Sequence, residues 1–385
     1  MSFSISFKTL LIFIVITFNG VLLAQEEALT AKDSLDLVNL TSEFDLSKHY
    51  TPDIKTVILQ TESIEEADNT LTEYLTDNFP LISEKAINDI ASKKSVEPLN
   101  SSDSAGSYNV EFYEVSYKVP LNYFVDTAKI LWELNIPEFK SRIYQLYNGD
   151  TIYIDIWNNV VGTASNKTYT GNFEAYKLRN WPTWKDPEKG KEHLRAKPPG
   201  PNNPLGLFVV HYDENSLRYF HGTNKNHLLD NDRRNLSHGC VRNKNESIQK
   251  MKEFIIEKVV KADDLNYWLD SKRSMEYFLE EQDKFPVRII YKTFNIDVDD
   301  YGPYIELFDD IYGYSNPSRI STQWNDVNLI TLTTKANIID EFRKEIGMDI
   351  SKENLDLIAD YLLNKTKKYE KYYLKDLMDK FMMEY

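Results

Sequence analysis

The sequence predicts a mostly β central domain flanked by α-helical regions at both ends of a 385-residue chain. Three observations carry that reading. From Asn109 onward short apolar runs alternate with polar residues, as in VEFYEVSYKV and IYQLYNGDTIYIDIW, and a period of two is the strand signature. Residues 25 to about 92, and again the last fifty, instead space their apolar residues three and four apart, which is the helical period. Between the first two regions, Lys93 to Ser107 (KKSVEPLNSSDSAGS) has the Ser, Pro, Gly and charge content of a linker. The boundaries expected from these shifts are 25–107 for the helical region and linker, 108–315 for the central domain and 316–385 for the C-terminal helices.

At this length the chain can hold two or three domains. A hydrophobic content of 42%, with 19 Phe and 25 Tyr, is that of a folded protein. The formal charge of −15 argues against a nucleic-acid partner, which needs clustered Lys and Arg.

Taken in order, the elements begin with MSFSISFKTLLIFIVITFNGVLLAQEE. Lys8 precedes an apolar run from Leu10 to Leu23 that Asn19 and Gly20 interrupt, and Ala24 before Gln25 offers a cleavage point. Residues 1–24 read as a secretory signal, with an uncleaved anchor as the second reading; this segment is the one expected membrane contact. The helical region that follows places Ile64, Leu71, Leu75, Leu81, Ile82, Ile87 and Ile90 on its apolar positions. Ile143–Leu146 and Ile152–Ile156 flank Tyr147-Asn148-Gly149-Asp150, a hairpin signal. LFVVHYDENSLRYFHG repeats the form, turning at Asp213-Glu214-Asn215 and leading into His221. Ile248, Met251, Phe254, Ile255 and Val259 then restore helical spacing, and FPVRIIYKTFNIDV reads as one further strand. Near the end, Ile338, Ile339, Phe342 and Ile346 form a stripe closed by Gly347. Ser351 can cap a second helix carrying Leu355, Ile358, Leu362 and Leu363, and KKYEKYY reads as core or solvated helix.

The chemistry concentrates between Tyr219 and Asn243, which holds three of the six histidines and the only cysteine. Cys240 has no partner in its own chain, so it is a small buried hydrophobe, a reactive thiol or half of an intermolecular bridge. The surrounding S-H-G-C-V-R has no apolar periodicity, which favours the reactive reading. A thiol attacks as thiolate, and His221, at the end of a predicted strand, can take its proton. Gly239 allows close backbone approach, and a Gly-Cys turn can aim N–H groups at an oxyanion. A metal site using His221, His227 or His238 with Asp230, Asp232 and Cys240 lacks the i, i+4 or CxxC spacing of zinc sites. A papain-like protease would place the cysteine before the histidine, and here the order is reversed.

His221-Gly222-Thr223 followed by Ser237-His238-Gly239-Cys240-Val241-Arg242 resembles the L,D-transpeptidase family with its YkuD-type catalytic domain, whose hallmark is H-G-[TS] and then S-H-G-C-[VI]-R. LNIPEFKSRIYQLYNGD looks like the opening strands of that family, VGTASNKTYTGNFEAYKL like its second hairpin, and PPGPNNPLG like the segment before the catalytic strand. FPVRIIYKTFNIDVDD with DIYG is similar to the larger periplasmic Gram-negative members. The likeness spans roughly Ile130 to Gly313. It implies a YkuD-like β-sandwich with short helices, no cofactor and no metal.

The resemblance also implies roles. Cys240 matches the nucleophile, His221 its general base and acid, and the Gly222 carbonyl the group holding the other imidazole nitrogen. His238 matches a second active-site histidine, and Gly239 belongs to the same catalytic turn. Arg242 either binds a substrate carboxylate or braces the loop; Ser237 and Thr223 complete the substrate-binding set. Tyr169 stands where Pro is common in the family, and Asn243 where an apolar residue is usual. The implied partners are peptidoglycan stem peptides outside the cytoplasm, a tetrapeptide donor and an amine acceptor, joined in a 3→3 cross-link through a cysteine thioester. An L,D-carboxypeptidase, a protein-to-peptidoglycan transferase and a non-catalytic envelope-binding module remain the alternatives.

Overall fold

A computed structural model describes residues 53–99, 112–186, 190–191, 193–216, 218–261, 267–268, 271–346 and 350–381. The expected signal at 1–24, most of the expected linker and Gly347 lie outside the described residues. The chain divides after Asp126 into two compact units.

In the first unit, β1 (Ile54–Thr61), β2 (Ser95–Leu99) and β3 (Phe112–Pro120) form an antiparallel sheet in the order β1-β3-β2. Two helices accompany it, α1 (Ile64–Asn78) and α2 (Glu84–Ser92). Each starts on a serine: Ser63 Oγ accepts from the Glu66 N–H and Ser83 Oγ from the Ala86 N–H, both at 3.1 Å. Ala67, Leu71 and Leu75 recur every four residues and are fully buried, and Ile87 and Ile90, three residues apart, are the buried positions of α2. Ile64, expected on that stripe, lies exposed in the first turn. The stretch expected to be helical thus also holds strands. β1 alternates, with Val57, Leu59 and Thr61 inward, whereas β2 falls inside the expected linker and is almost wholly exposed. Pairing with β3, and not an apolar pattern of its own, makes β2 a strand, which is why its sequence does not announce it.

The second unit is a β-sandwich with short helices; it also holds a parallel pair of two short strands, β7 (Val161–Gly162) and β12 (Asn235–Ser237). One sheet runs β18-β15-β4-β5-β6, with β8 on β15, using β4 (Lys129–Asn135), β5 (Lys140–Tyr147), β6 (Asp150–Asn158), β8 (Gly171–Ala175), β15 (Phe285–Lys292) and β18 (Ile330–Thr331). The β5–β6 turn is the expected two-residue one. Asn148 and Gly149 sit at φ 51° and 85°, the left-handed pair of a type I′ turn. The second sheet has the order β13-β11-β10-β9-β14, from β9 (Lys177–Asn180), β10 (Phe208–Asp213), β11 (Arg218–His221), β13 (Val241–Arg242) and β14 (Met275–Phe278). The two sheets meet through aromatic rings. Trp132 of β4 lies 3.9 Å from Phe220 of β11 at an interplanar angle of 5°, and Tyr212 links Phe220 to Phe173.

As expected, a helix, α3 (Asn245–Phe254), follows Arg242, burying Ile248, Met251 and Phe254. FPVRIIYKTFNIDV is two strands and not one. Thr293 breaks the run, its N–H donating to the Thr331 carbonyl at 3.0 Å, so β15 stays in the sandwich and β16 (Phe294–Asp299) leaves it. β16 pairs with β17 (Gly302–Leu307), and β17 with β19 (Lys371–Tyr373). The helices α4 (Lys335–Ile346), α5 (Lys352–Lys365) and α6 (Leu374–Lys380) share one core with that sheet, centred on Phe294, Ile305, Ile338, Ile358 and Leu374. Ser351 caps α5 as expected, accepting from the Asn354 N–H at 3.2 Å, but Leu363 faces outward. KKYEKYY, read as helix or core, supplies β19. Among the described residues no helix is long and apolar enough to cross a membrane.

Candidate active site

Strand register decides which side chains share a face. β10 and β11 are antiparallel with Val209 opposite His221 and His211 opposite Tyr219. β11 and β13 are parallel, with Phe220 beside Val241 and His221 beside Arg242. Directly paired residues point the same way and neighbours along a strand point opposite ways. Phe220 and Val241 therefore turn into the sandwich, where both are fully buried, and Tyr219, His221 and Arg242 turn outward. Cys240, one residue before β13, falls beside Tyr219 by the same register. The thiol and the imidazole are thus set on one face of the sheet by two adjacent strands.

Hydrogen bonds fix the histidine. His221 is 4% exposed, and its Nδ1 lies 2.6 Å from the Gly222 carbonyl oxygen. A carbonyl only accepts, so Nδ1 carries the hydrogen and Nε2 keeps its lone pair. Burial, with the Arg242 charge adding to it, holds the imidazole down to about 3 against a small opposing pull from the Gly222 carbonyl. Burial likewise pushes the Cys240 thiol up, opposed by the Tyr219 main chain and hydroxyl and by the Arg218 and Arg242 charges. Both shifts favour the uncharged forms, an imidazole without its second proton beside a protonated thiol. The Tyr219 hydroxyl stays protonated well above its ordinary range, because burial and the neighbouring sulfur both disfavour its anion.

The turn carrying the sulfur is clamped from several sides. Ser237 Oγ donates to the Cys240 carbonyl at 2.6 Å and accepts from the Gly239 N–H at 3.0 Å. That second bond occupies the Gly239 N–H, which is therefore not one of the turn's N–H groups left for an oxyanion. Thr168 Oγ1 donates to the Gly239 carbonyl at 2.8 Å. Gly239 is required by its φ of 111° and by space, since a Cβ would lie 2.9 Å from Arg218 Nε. Gly222 is equally confined: a Cβ there would meet Asn245 Oδ1 at 2.2 Å. Asn245 in turn holds the loop after the histidine, accepting from the Thr223 N–H at 3.2 Å and donating to the Thr223 carbonyl at 2.8 Å. The Thr223 hydroxyl accepts from the Lys225 N–H at 3.1 Å, so this buried residue shapes the loop.

The two departures from the family pattern both find partners. Asn243 is fully buried; its N–H donates to the His221 carbonyl at 2.8 Å, and its Oδ1 accepts from Asn159 Nδ2 at 2.8 Å. Tyr169 lies between the Arg218 guanidinium, 3.9 Å from its ring centre, and a stacked Trp324. Arg218 also donates from Nε to the Lys167 carbonyl at 2.8 Å. His238 is exposed, whereas His221 is buried. Arg242 braces through its main chain, which exchanges hydrogen bonds with Val160 at 2.9 and 3.1 Å, while its guanidinium feels the Cys240 charge. Among the described residues no group of three His, Cys, Asp or Glu is placed to hold a metal.

Sequence reasoning brought out Cys240, His221, Gly222, Gly239 and Ser237, which the structure gathers. It missed Tyr219, Arg218, Asn245 and Asn159. Tyr219 carried a usable signal: two residues before His221 on a strand means the same face.

The family model of the YkuD L,D-transpeptidase catalytic domain matches residues 134–261. No curated protein matches the chain. Among solved structures, an L,D-transpeptidase from Mycobacterium smegmatis is 11% identical, over 54% of this chain and 86% of that one, at a TM-score of 0.24. L,D-transpeptidase 3 from Mycobacterium tuberculosis is 9% identical, over 54% and 87%, at 0.27. The helical cell shape determining protein Pgp2 from Campylobacter jejuni is 13% identical, over 43% and 48%, at 0.24. Likenesses at these scores carry no argument. The family match does, because it runs from the end of β4 through both motif strands to the end of the helical segment after them: residues 134–261 match the L,D-transpeptidase catalytic domain of the YkuD family.

Proposed function

We propose that the protein is exported and forms 3→3 cross-links in peptidoglycan through a Cys240 thioester. The observation that carries this reading is the fixed tautomer of His221, with Nδ1–H held by the Gly222 carbonyl on the strand beside the thiol. It supports a base that is neutral at working pH and presents Nε2 towards the face the sulfur occupies.

In the first half-reaction, His221 Nε2 takes the thiol proton as Sγ attacks the carbonyl joining the third and fourth residues of a tetrapeptide stem. The C–N bond breaks, and the departing D-alanine nitrogen takes the proton back from His221. In the second, a side-chain amine of a neighbouring stem attacks the thioester, gives its proton to His221, and leaves a new amide and the free thiol. Water in place of the amine gives a tripeptide. The Arg242 guanidinium, close enough to lower both the thiol and the imidazole, favours the charged sulfur as it forms.

Mass spectrometry of muropeptides after incubation of the mature protein with tetrapeptide-bearing sacculi tests the reading. New 3→3 dimers are expected, absent with Cys240→Ala. Tripeptides alone identify a carboxypeptidase, and an unchanged profile sinks the enzymatic reading in favour of a binding module.

A further inference from the structure

The register that places the thiol continues across the whole five-stranded sheet. Lys177 of β9 pairs with His211 and Arg179 with Val209, while on β14 Phe278 pairs with Lys177 and Glu276 with Arg179. Two rows therefore cross the outer face from edge to edge. One reads Phe278, Lys177, His211, Tyr219 and then Cys240; the other reads Glu276, Arg179, Val209, His221, Arg242. Each row carries a cation on β9, three strands from the one that follows the sulfur.

Two side chains in those rows point to something missing. His211 is 7% exposed, and its Nε2 is buried without a hydrogen-bond partner. Arg179 donates from Nη2 to the Thr183 carbonyl at 3.1 Å, but its Nε is buried without a hydrogen-bond partner; Nε lies 3.2 Å from Glu276 Oε1, within ion-pair distance but off the line a hydrogen bond needs. Lys177 Nζ lies 2.9 Å from Glu276 Oε2. One carboxylate, its side chain 49% exposed, thus answers two cations whose side chains are each only 18% exposed. The local charge is positive on a chain of net charge −15. Rings floor the path to the thiol, with centroids 4.9 Å apart for His211 and Tyr219 and 5.6 Å for Tyr219 and His221.

We propose that Lys177 and Arg179 form a carboxylate subsite for the donor stem, which Glu276 fills in the empty protein and yields when substrate enters. The proposal rests on the transpeptidase reading above. Three strand spacings put β9 about 14 Å from the strand that follows the sulfur. Lys and Arg side chains swung along the sheet, away from Glu276 and towards the thiol, cover at most about half of that, and the rest is about two to three residues of extended peptide, at about 3.4 Å each. The ligand carboxylate is accordingly the free α-carboxyl of the γ-linked glutamate that precedes the residue acylating Cys240. His211 Nε2 gains a partner from the bound peptide backbone passing over it.

The test compares D-alanine release from the tetrapeptide L-Ala-γ-D-Glu-meso-diaminopimelyl-D-Ala with release from the same peptide amidated at the glutamate α-carboxyl. Wild type should show a KM for the acid about tenfold or more below that for the amide, the scale of a hydrogen bond to a charged group. Arg179→Gln should raise KM for the acid with little change in kcat and erase the preference. Glu276→Gln should lower KM for the acid, an outcome that a merely structural ion pair would not give. Equal KM values for acid and amide in wild type overturn the proposal even if Arg179→Gln fails to fold. If wild type releases no D-alanine, the functional reading falls separately, and calorimetry on Cys240→Ala decides the subsite: tighter binding of the acid than of the amide keeps it, and equal affinity removes it.

Discussion

The two faces of the five-stranded sheet use the same strands for opposite ends. Inward, Leu178, Phe208, Val210, Phe220 and Val241 are all within 1% of full burial. Outward, one residue along each strand, stand Lys177, Arg179, His211, Tyr219, His221 and Arg242. The contrast shows what holds an imidazole in a depressed, neutral state: strands kept rigid by an apolar face can carry buried polar groups on the other, because their backbones are not free to relax away.

Two neighbouring residues separate the faces most clearly. His221→Ala should cut turnover by about 10²–10⁴, the usual worth of a general base, with folding intact. Phe220→Ala, one position earlier, should cost about 3–5 kcal/mol of stability, because it empties the stack against Trp132. Steady-state kinetics and chemical denaturation of the two variants check this. A His221→Ala protein that unfolds, beside a Phe220→Ala protein that does not, would erase the distinction between the faces.

Acid sharpens it next. Burial holds His221 down to about 3 and His211 to about 4, against an ordinary value near 6.5. Between those values the unfolded chain binds protons that the folded chain refuses, so these two groups make stability fall as pH drops below about 6.5. Both contribute down to about pH 4, with a limiting slope of about 2.7 kcal/mol per pH unit for two protons. Denaturant midpoints measured from pH 7 to pH 4 should show this limb, and His211→Phe should roughly halve it. A limb unaltered in that variant would mean that His211 is not held neutral.

The same contrast explains how much was legible in the sequence. Hairpins were readable because Asn148-Gly149 and the Asp213 turn are local devices; Asp213 Oδ1 accepts from the N–H of both Asn215 and Ser216. The thiol–imidazole pair was readable because both members sit in short motifs. The strands β2 and β19 were not, since each is made by the partner it pairs with and carries little apolar pattern. Asn243 and Tyr169 looked like irregularities for a similar reason. Their partners, Asn159 and Trp324, lie 84 and 155 residues away, and nothing local names them.

On the outer face, Tyr219→Phe should have the next largest effect. Its hydroxyl is one of the groups that hold the raised thiol of Cys240 down, so losing it pushes the thiol higher and leaves less thiolate at neutral pH. Alkylation of Cys240 by iodoacetamide should slow by about tenfold at pH 7, the scale of one hydrogen bond to a charged acceptor, and converge on wild type at high pH. An unchanged rate would place the hydroxyl away from the sulfur.

Arg242 should give the smallest change, and it separates the two roles open to that side chain. Its main chain already braces the loop through Val160, and a substitution leaves those bonds in place. What Arg242→Gln removes is a charge that lowers both Cys240 and His221. With the charge gone, the thiol and the imidazole both move up, so alkylation at pH 7 slows while the imidazole becomes easier to protonate. The guanidinium is part exposed and solvent screens it, so the slowing should be about two- to threefold, less than for Tyr219→Phe. Arg242→Lys should restore most of the rate, since a point charge suffices for this role. If Arg242→Gln instead loses stability and alkylates at the wild-type rate, the side chain is a brace and the outer face owes it nothing electrostatic.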